Sequence, residues 1–84
     1  MPSPSDNPVV YLRPGCPFCS NLISSLDRAG VTYDEVDIWD VPEAAAFVRS
    51  VANGNETVPT VVIGGVAHVN PPPQLIIDSV RGSE

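Results

Sequence analysis

The chain has 84 residues, of which 43% are apolar, and it carries a net charge of −6 at neutral pH. This length accommodates one small domain, and the apolar fraction suits a packed core rather than a disordered chain. The acidic balance argues against binding to nucleic acid or anionic membranes, because both require clustered cations. No apolar run reaches the ~18–20 residues that span a bilayer, and the first residues lack the basic and apolar regions of a signal peptide, so we expect a cytoplasmic protein.

The chain begins with a segment rich in proline and serine, which predicts a mobile tail over residues 1–7 ahead of a single domain over residues 8–84. The first apolar run, 9–12, consists of β-forming residues bounded by prolines, which is typical of a buried strand.

Apolar residues recur at helical spacing after this strand and predict a helix over residues 17–29. Pro17 suits the first helical position, which leaves Cys16 as the N-cap. Gly30 is the expected C-terminal stop.

A second strand and a second helix are expected next. Residues 31–38 alternate in polarity and are rich in β-branched side chains, which indicates a strand. The helix is predicted to start at Asp40, a cap that pairs with Glu43 three residues later, and to end before the breaker at 53–54.

The last part of the chain predicts a β-hairpin and a third helix. Apolar runs at 60–63 and 66–69 flank a Gly-Gly pair, three prolines at 71–73 end the hairpin, and a helix is expected over residues 74–81. The order β-α-β-α-β-β-α is that of an α/β protein, and its first three elements form a βαβ unit with parallel strands.

Cys16 and Cys19 form a Cys-x-x-Cys pair at the junction of the first strand and the first helix. A helix N-terminus carries a partial positive charge and unpaired N–H groups, which stabilise a thiolate. Because Pro17 has no N–H, the donors would be the amides of Phe18 and Cys19. Thiols in such pairs have pKa values of about 3.5–7.5. We therefore expect an exposed Cys16 to attack disulfides and a buried Cys19, with a high pKa, to resolve the intermediate.

Two other interpretations of the cysteine pair stay open. Two buried structural cysteines would fit the same letters, although a strand–Cys-Pro-x-Cys–helix junction favours redox chemistry. Zinc takes about four ligands, and the chain offers two Cys and one His, so a zinc site would need a dimer or added thiols. We expect no bound metal or cofactor, since the Cys16–Cys19 disulfide is itself the redox-active group.

The chain resembles the glutaredoxins over about residues 8–82, because it contains both Cys16-Pro17-Phe18-Cys19 and Thr57-Val58-Pro59-Thr60. The resemblance implies their thioredoxin-like fold, with a mixed four-stranded sheet and a cis peptide bond before Pro59. It also implies that the backbone of Val58 pairs with the cysteinyl part of a bound thiol, and that Arg13 occupies a basic position before the cysteine pair. The substrate contacts that we expect on this basis are Arg13, Pro17, Phe18, Thr57, Val58, Pro59 and Asn70.

One segment departs from the glutaredoxin pattern. Glutaredoxins open the last helix with a Gly-Gly-x-Asp-like segment, whose N–H groups and acidic side chain hold the γ-glutamyl end of glutathione. Three consecutive prolines, 71–73, occupy that segment here and remove three donors. Together with the segments 33–38, 44–48 and 53–55, this resembles the mycoredoxins, actinobacterial glutaredoxin-like proteins that work with mycothiol, a thiol that ends in a neutral sugar unit. Pro17 and Phe18 are the more general glutaredoxin residues and leave glutathione as an alternative.

Three further side chains are expected near the cysteine pair or its rim, because this topology brings their segments to the same end of the sheet. Trp39 is expected either to pack partly or to contact substrate. His68 is expected to face solvent rather than act as an acid. Asn70 is expected to cap the last helix first and to contact the ligand second.

These patterns predict an enzyme that reduces mixed disulfides between proteins and a low-molecular-weight thiol, with mycothiol as co-substrate. The expected partners are the mixed-disulfide proteins and, indirectly, an NADPH-dependent disulfide reductase, and the expected state is a monomer. The alternatives are a glutathione-dependent glutaredoxin, a redoxin reduced directly by thioredoxin reductase, and an iron–sulfur or zinc-binding module.

Overall fold

The computed structural model describes residues 7–82, so the predicted tail lies outside the described residues apart from Asn7. Seven elements follow one another in the predicted order β-α-β-α-β-β-α. None of the helices within residues 7–82 is long and apolar enough to cross a membrane. The elements are β1 (Val9–Leu12), α1 (Pro17–Arg28), β2 (Asp34–Asp37), α2 (Pro42–Val51), β3 (Thr60–Ile63), β4 (Val66–Val69) and α3 (Pro73–Gly82).

The four strands form one mixed sheet in the order β2-β1-β3-β4. β1 is parallel to β2, whereas β3 is antiparallel to both β1 and β4. Tyr11 near the end of β1 pairs with Thr60 at the start of β3, and Thr60 pairs with Val69 at the end of β4. The ends of β1, β2 and β4 and the start of β3 therefore meet at one end of the sheet, which we call the cysteine end because Cys16 follows β1 there.

Helix α1 ends in a Schellman motif, and this motif shortens the next strand. Gly30 has a φ of +73°, a conformation that glycine adopts without penalty, and the N–H of Val31 donates to the carbonyl of Leu26 at 3.0 Å. Because Val31 still belongs to the helix end, β2 begins only at Asp34. The prediction of a strand over residues 31–38 was therefore too long.

The prediction that Asp40 caps α2 is wrong. The N-cap is Val41, which is extended and makes no side-chain cap bond, and Pro42 occupies the first turn. Asp40 lies in the turn after β2, where its N–H donates to the carbonyl of Asp37 at 3.1 Å. Pro42 has a helical φ and no N–H to satisfy, so the helix starts here without a side-chain cap.

The prediction that Asn70 caps α3 is also wrong. Helix α3 begins at Pro73, three residues further along the chain. Asn70 has a left-handed φ of +49°, which asparagine tolerates better than most residues, and its N–H donates to the carbonyl of Pro59 at 2.8 Å. Asn70 thus belongs to the turn after β4 and ties that turn to the start of β3.

Two apolar clusters cover the two faces of the sheet. On one face, α1 and α3 pack on β1 and β3, and the buried residues are Val10, Leu22, Leu26, Val61, Ile76 and Ile77. On the other face, α2 packs near the cysteine end, and the buried residues are Cys16, Cys19, Ile38, Ala44, Ala45, Val48 and Val58. The first turn of α1 therefore places both sulfurs in the cluster on the α2 side.

We expect Val61→Ala to lower the free energy of unfolding by about 2–3 kcal/mol, because truncation removes buried methyl groups and leaves a cavity. Val61 is 0% exposed in the middle of the sheet, whereas Val66 on the neighbouring strand is 57% exposed. Val66→Ala is therefore the matched control, with an expected change within about 0.5 kcal/mol. Urea unfolding followed by circular dichroism measures both values, and equal losses would contradict the placement of the core.

Candidate active site

Cys16 is the N-cap of α1, as predicted, and its sulfur does the work of a capping oxygen. Its backbone is extended, with φ −96° and ψ 109°, and Sγ accepts a hydrogen bond from the backbone N–H of Cys19 at 3.4 Å. Pro17 occupies the first turn, where its missing N–H leaves no donor unsatisfied. The strand–loop–helix junction thus aims a helix N-terminus at the sulfur.

The expectation that Cys16 is exposed is wrong. The residue is 5% exposed, hardly more than Cys19 at 4%. Its Sγ lies 3.7 Å from the carbonyl oxygen of Val58, to which the neutral thiol donates, and it belongs to the apolar cluster on the α2 side. Because the Val58 loop comes from a distant part of the sequence, the local pattern around the cysteine pair gives no sign of this cover.

Opposing effects set the pKa of Cys16, and the net result is a pKa below the ordinary 9.0. Burial is the largest single effect and raises the pKa, because it penalises the charged thiolate. Hydrogen bonds to the sulfur from Cys19 and from the backbone N–H of Phe18, together with the positive charge of Arg13, outweigh it. The structure therefore favours a thiolate at Cys16 more than water does.

Cys19 has the opposite tendency. Burial, the hydrogen bond to Cys16 and the charge of Cys16 raise its pKa from 9.0 to about 11. The residue lies one turn inside α1, and its own thiol stabilises the neighbouring thiolate as a donor. The pair therefore consists of one thiol that ionises readily and one that stays protonated at neutral pH.

The segment Thr57–Thr60 faces the cysteine pair at the start of β3. The Val58–Pro59 peptide bond is cis, as predicted, and the carbonyl of Val58 points towards the sulfur of Cys16. The hydroxyl of Thr60, which is fully buried, donates to the carbonyl of Thr57 at 2.8 Å and closes this short loop. Sequence reasoning missed the role of Thr60, although a threonine at the start of a buried strand beside an X-Pro bond was a usable signal.

Arg13, Phe18 and Trp39 form the exposed rim of the site. Phe18 is 65% exposed and Trp39 is 61% exposed. The guanidinium carbon of Arg13 lies 5.9 Å from the centroid of the Trp39 ring, which is cation–π distance. The residues come from the β1–α1 junction and from the turn after β2, which the sheet topology brings together.

The structure separates Asn70 from His68. Asn70 lies beside the cis peptide bond through its bond to Pro59, and its side chain is exposed. His68 pairs with Val61 and is half-buried. Cross-strand partners point to the same face of a sheet, so His68 lies on the face of α1 and α3, away from the cluster that contains both sulfurs.

The start of α3 has few free N–H groups. Pro73 is its first residue, and the N–H of Leu75 is already bonded to the carbonyl of Pro72 at 3.0 Å. The side-chain amide of Gln74 donates to Asp78 at 2.8 Å rather than pointing out of the helix end. The segment is therefore a poor binder of carboxylates.

The described residues also limit metal binding. Within residues 7–82, no group of three or more His, Cys, Asp or Glu side chains lies close enough together to hold a metal ion. Both cysteines are free thiols in this structure.

Known proteins have sequences similar to that of this chain. The family model for glutaredoxin matches residues 9–69. The chain is 38% identical over 66 residues to mycoredoxin 1 of Corynebacterium glutamicum, an alignment that covers 79% of this chain and 81% of that protein.

Solved structures show the same fold. The glutaredoxin of Brucella melitensis superimposes with a TM-score of 0.69 and 27% identity, covering 96% of this chain and 90% of that one. The glutaredoxin-like NrdH-redoxin of Escherichia coli gives a TM-score of 0.72 and 24% identity, covering 83% of this chain and 90% of that one.

We expect iodoacetamide at pH 7 to label Cys16 at least about tenfold faster than Cys19 in the reduced protein. The pKa of Cys16 lies below 9.0 and that of Cys19 is about 11, so the rate at Cys16 should level off at a lower pH than the rate at Cys19. Peptide mass spectrometry after brief labelling measures both rates in one sample. In urea the two rates should become similar, and faster labelling of Cys19 in the folded protein would overturn the assignment.

Proposed function

Because this chain belongs to the glutaredoxin family and is a thiol–disulfide oxidoreductase, we propose that it reduces mixed disulfides between proteins and a low-molecular-weight thiol, and that this thiol is mycothiol. The observation that carries the proposal is the contrast between the two thiols. Cys16 has a pKa below the ordinary 9.0, and Cys19 has a pKa of about 11. Cys16 is therefore suited to attack a disulfide, and Cys19 is suited to remain a protonated thiol until it is needed to resolve an intermediate.

In the first step, the thiolate of Cys16 attacks the sulfur of the small thiol in the mixed disulfide. A new disulfide forms between Cys16 and the small thiol, the old disulfide breaks, and the protein leaves as a thiolate that takes a proton from water. In the second step, the thiolate of another small-thiol molecule attacks the small-thiol sulfur of this intermediate. That step releases Cys16 as a thiolate and yields the disulfide of the small thiol, which an NADPH-dependent reductase recycles.

The N–H of Cys19 assists both steps, because Cys16 is the attacking thiolate in the first and the leaving thiolate in the second. A thiol with a lower pKa leaves faster, and the 3.4 Å hydrogen bond at the helix start favours the charged form. Cys19 offers a side route, in which its thiolate attacks Cys16 in the intermediate, forms the Cys16–Cys19 disulfide and expels the small thiol.

The loop that faces Cys16, residues 57–59, is the proposed binding site of the small thiol. The carbonyl of Val58 already lies 3.7 Å from Sγ of Cys16. A small thiol whose cysteinyl backbone pairs with residues 57–59 would therefore place its own sulfur beside that of Cys16. Pro17 and Phe18 at the helix start, Arg13 at the rim and Asn70 beside the cis peptide bond complete the proposed contacts. Backbone pairing of this kind holds the cysteinyl group in place and does not depend on the rest of the small thiol.

The start of α3 supports mycothiol over glutathione. A γ-glutamyl carboxylate needs free N–H donors. The first turn of α3 offers few, because Pro73 has no N–H and the N–H of Leu75 already donates to the carbonyl of Pro72. A neutral sugar unit makes no such demand. The similarity to mycoredoxin 1 of Corynebacterium glutamicum points in the same direction.

The thiol chemistry also suits the reducing cytoplasm, where we propose that the enzyme works as a monomer.

Substitution of the cysteines tests the proposed route. We expect Cys19→Ser to keep reduction of a mixed disulfide with mycothiol within about threefold of the native rate, because the backbone N–H of Cys19 is retained, whereas Cys16→Ser loses about a thousandfold or more. Thiol release from a labelled peptide–mycothiol disulfide measures the rate. Equal loss in both variants would refute the monothiol route, and retained activity in Cys16→Ser would refute Cys16 as the nucleophile.

Coupled turnover tests the identity of the thiol. We expect NADPH oxidation with mycothiol and its reductase to be about tenfold or more faster than with glutathione and glutathione reductase, because the start of α3 offers few donors to a carboxylate. Thioredoxin reductase alone should give no turnover. Faster turnover with glutathione would overturn mycothiol, and turnover with thioredoxin reductase alone would favour a redoxin reduced directly by that enzyme.

Substitution of the prolines at the start of α3 tests whether this segment sets the choice of thiol. The double variant Pro72→Ala, Pro73→Ala restores two N–H groups at the start of α3, so the KM for glutathione should fall several-fold while turnover with mycothiol stays the same. Pro42→Ala makes the same change at the first turn of α2, where it should affect neither substrate. An unchanged KM for glutathione in the double variant would show that the prolines do not set the choice of thiol.

A further inference from the structure

We propose that Trp39 is a positioning residue, whose ring holds the guanidinium of Arg13 next to Cys16 without neutralising its charge. The inference rests on the proposed function only in taking Cys16 as the nucleophile. It starts from the cation–π contact of 5.9 Å between Arg13 and the Trp39 ring at the rim of the site.

Arg13 is the cation that acts on the cysteine pair. The chain has four basic residues, Arg13, Arg28, Arg49 and Arg81. Arg28 and Arg81 lie in the last turns of α1 and α3, at the far ends of those helices, and Arg49 is paired with Glu56 at 2.6 Å. The charge of Arg13 is the one that lowers the pKa values of both Cys16 and Cys19.

The partner of Arg13 is an aromatic ring and not a carboxylate. Among residues 7–82, the ion pair between Arg49 and Glu56 is the only one within 4.0 Å. A carboxylate partner would cancel most of the charge of Arg13, whereas a ring restrains the guanidinium and leaves the charge in place. The contact with Trp39 therefore fixes the position of the charge and preserves its effect on the thiolate.

The backbone around Trp39 is held firmly enough for this role. The N–H of Ile38 donates to the carbonyl of Leu12 at 2.9 Å, which extends the pairing of β1 and β2 one residue past the end of β2. The N–H of Trp39 donates to the carboxylate of Asp37 at 2.8 Å. Arg13 and Trp39 thus follow directly from two hydrogen-bonded parallel strands, and the register of these strands sets their separation.

The charged residues that lie nearest to Trp39 in the sequence are acidic. Asp37 ends β2 just before Trp39, Asp40 lies in the turn that carries Trp39, and Glu43 lies in the first turn of α2. Arg13 is a long, exposed side chain, so without the ring its guanidinium would move among these carboxylates, which would partly neutralise it. Loss of Trp39 should therefore weaken the effect of Arg13 on Cys16 even though Arg13 is still present.

The test is the pH dependence of Cys16 alkylation, measured without any disulfide substrate, so its outcome is independent of which thiol the enzyme uses. We expect Trp39→Ala to slow the alkylation of Cys16 about two- to threefold at pH values below the midpoint of the pH–rate profile. The midpoint itself should move to a higher pH. Arg13→Gln should give the same change, and the double variant should be no slower than Arg13→Gln. Trp39→Phe should restore most of the native rate, because a phenyl ring also binds a guanidinium.

The controls separate positioning from a loss of structure. Arg28→Gln removes the same charge at the far end of α1 and should leave the profile unchanged, and thermal unfolding should be similar in all variants. Trp39 is the single tryptophan of the chain, so its fluorescence should change in Arg13→Gln and not in Arg28→Gln. An unchanged profile in Trp39→Ala, or additive effects in the double variant, would overturn the proposal.

Discussion

The hydrogen bond from the backbone N–H of Cys19 to the sulfur of Cys16 is the interaction on which the site depends. It requires a strand that ends just before the cysteine, a helix that starts just after it, and Pro17 at the first turn. The interior strand β1 and the helix α1 supply that junction, and the apolar clusters on both faces of the sheet hold it in place. Because the N–H belongs to the backbone, this part of the stabilisation is built into the fold, and the thiol of Cys19 and the charge of Arg13 add to it.

The features that the sequence predicted well are those set by neighbouring residues. Pro17, Cys16 and Gly30 determine where α1 begins and ends, and the order of the seven elements follows from local apolar spacing. The errors at Asp40 and Asn70 came from treating a good capping residue as a cap. In both cases a proline opened the helix instead, while the N–H of Asp40 bonds within the turn after β2 and the N–H of Asn70 bonds across the sheet to the carbonyl of Pro59.

The features that the sequence could not predict join distant segments. The cover over Cys16 comes from Val58, which is 42 residues away along the chain, and the contact of Arg13 with Trp39 depends on the register of β1 against β2. No local pattern contains either fact. The cis bond before Pro59 is the exception, because a family motif carried the information that composition and spacing lacked.

The position of Cys16 as a helix cap links the redox state of the enzyme to the stability of α1. The thiolate is the strongest cap that this sulfur can form, and it loses its charge whenever the sulfur is bound to another sulfur. The helix therefore stabilises the reduced enzyme more than the mixed disulfide or the Cys16–Cys19 disulfide. By thermodynamic linkage, this difference raises the reduction potential of the pair and drives release of the small thiol at the end of each cycle.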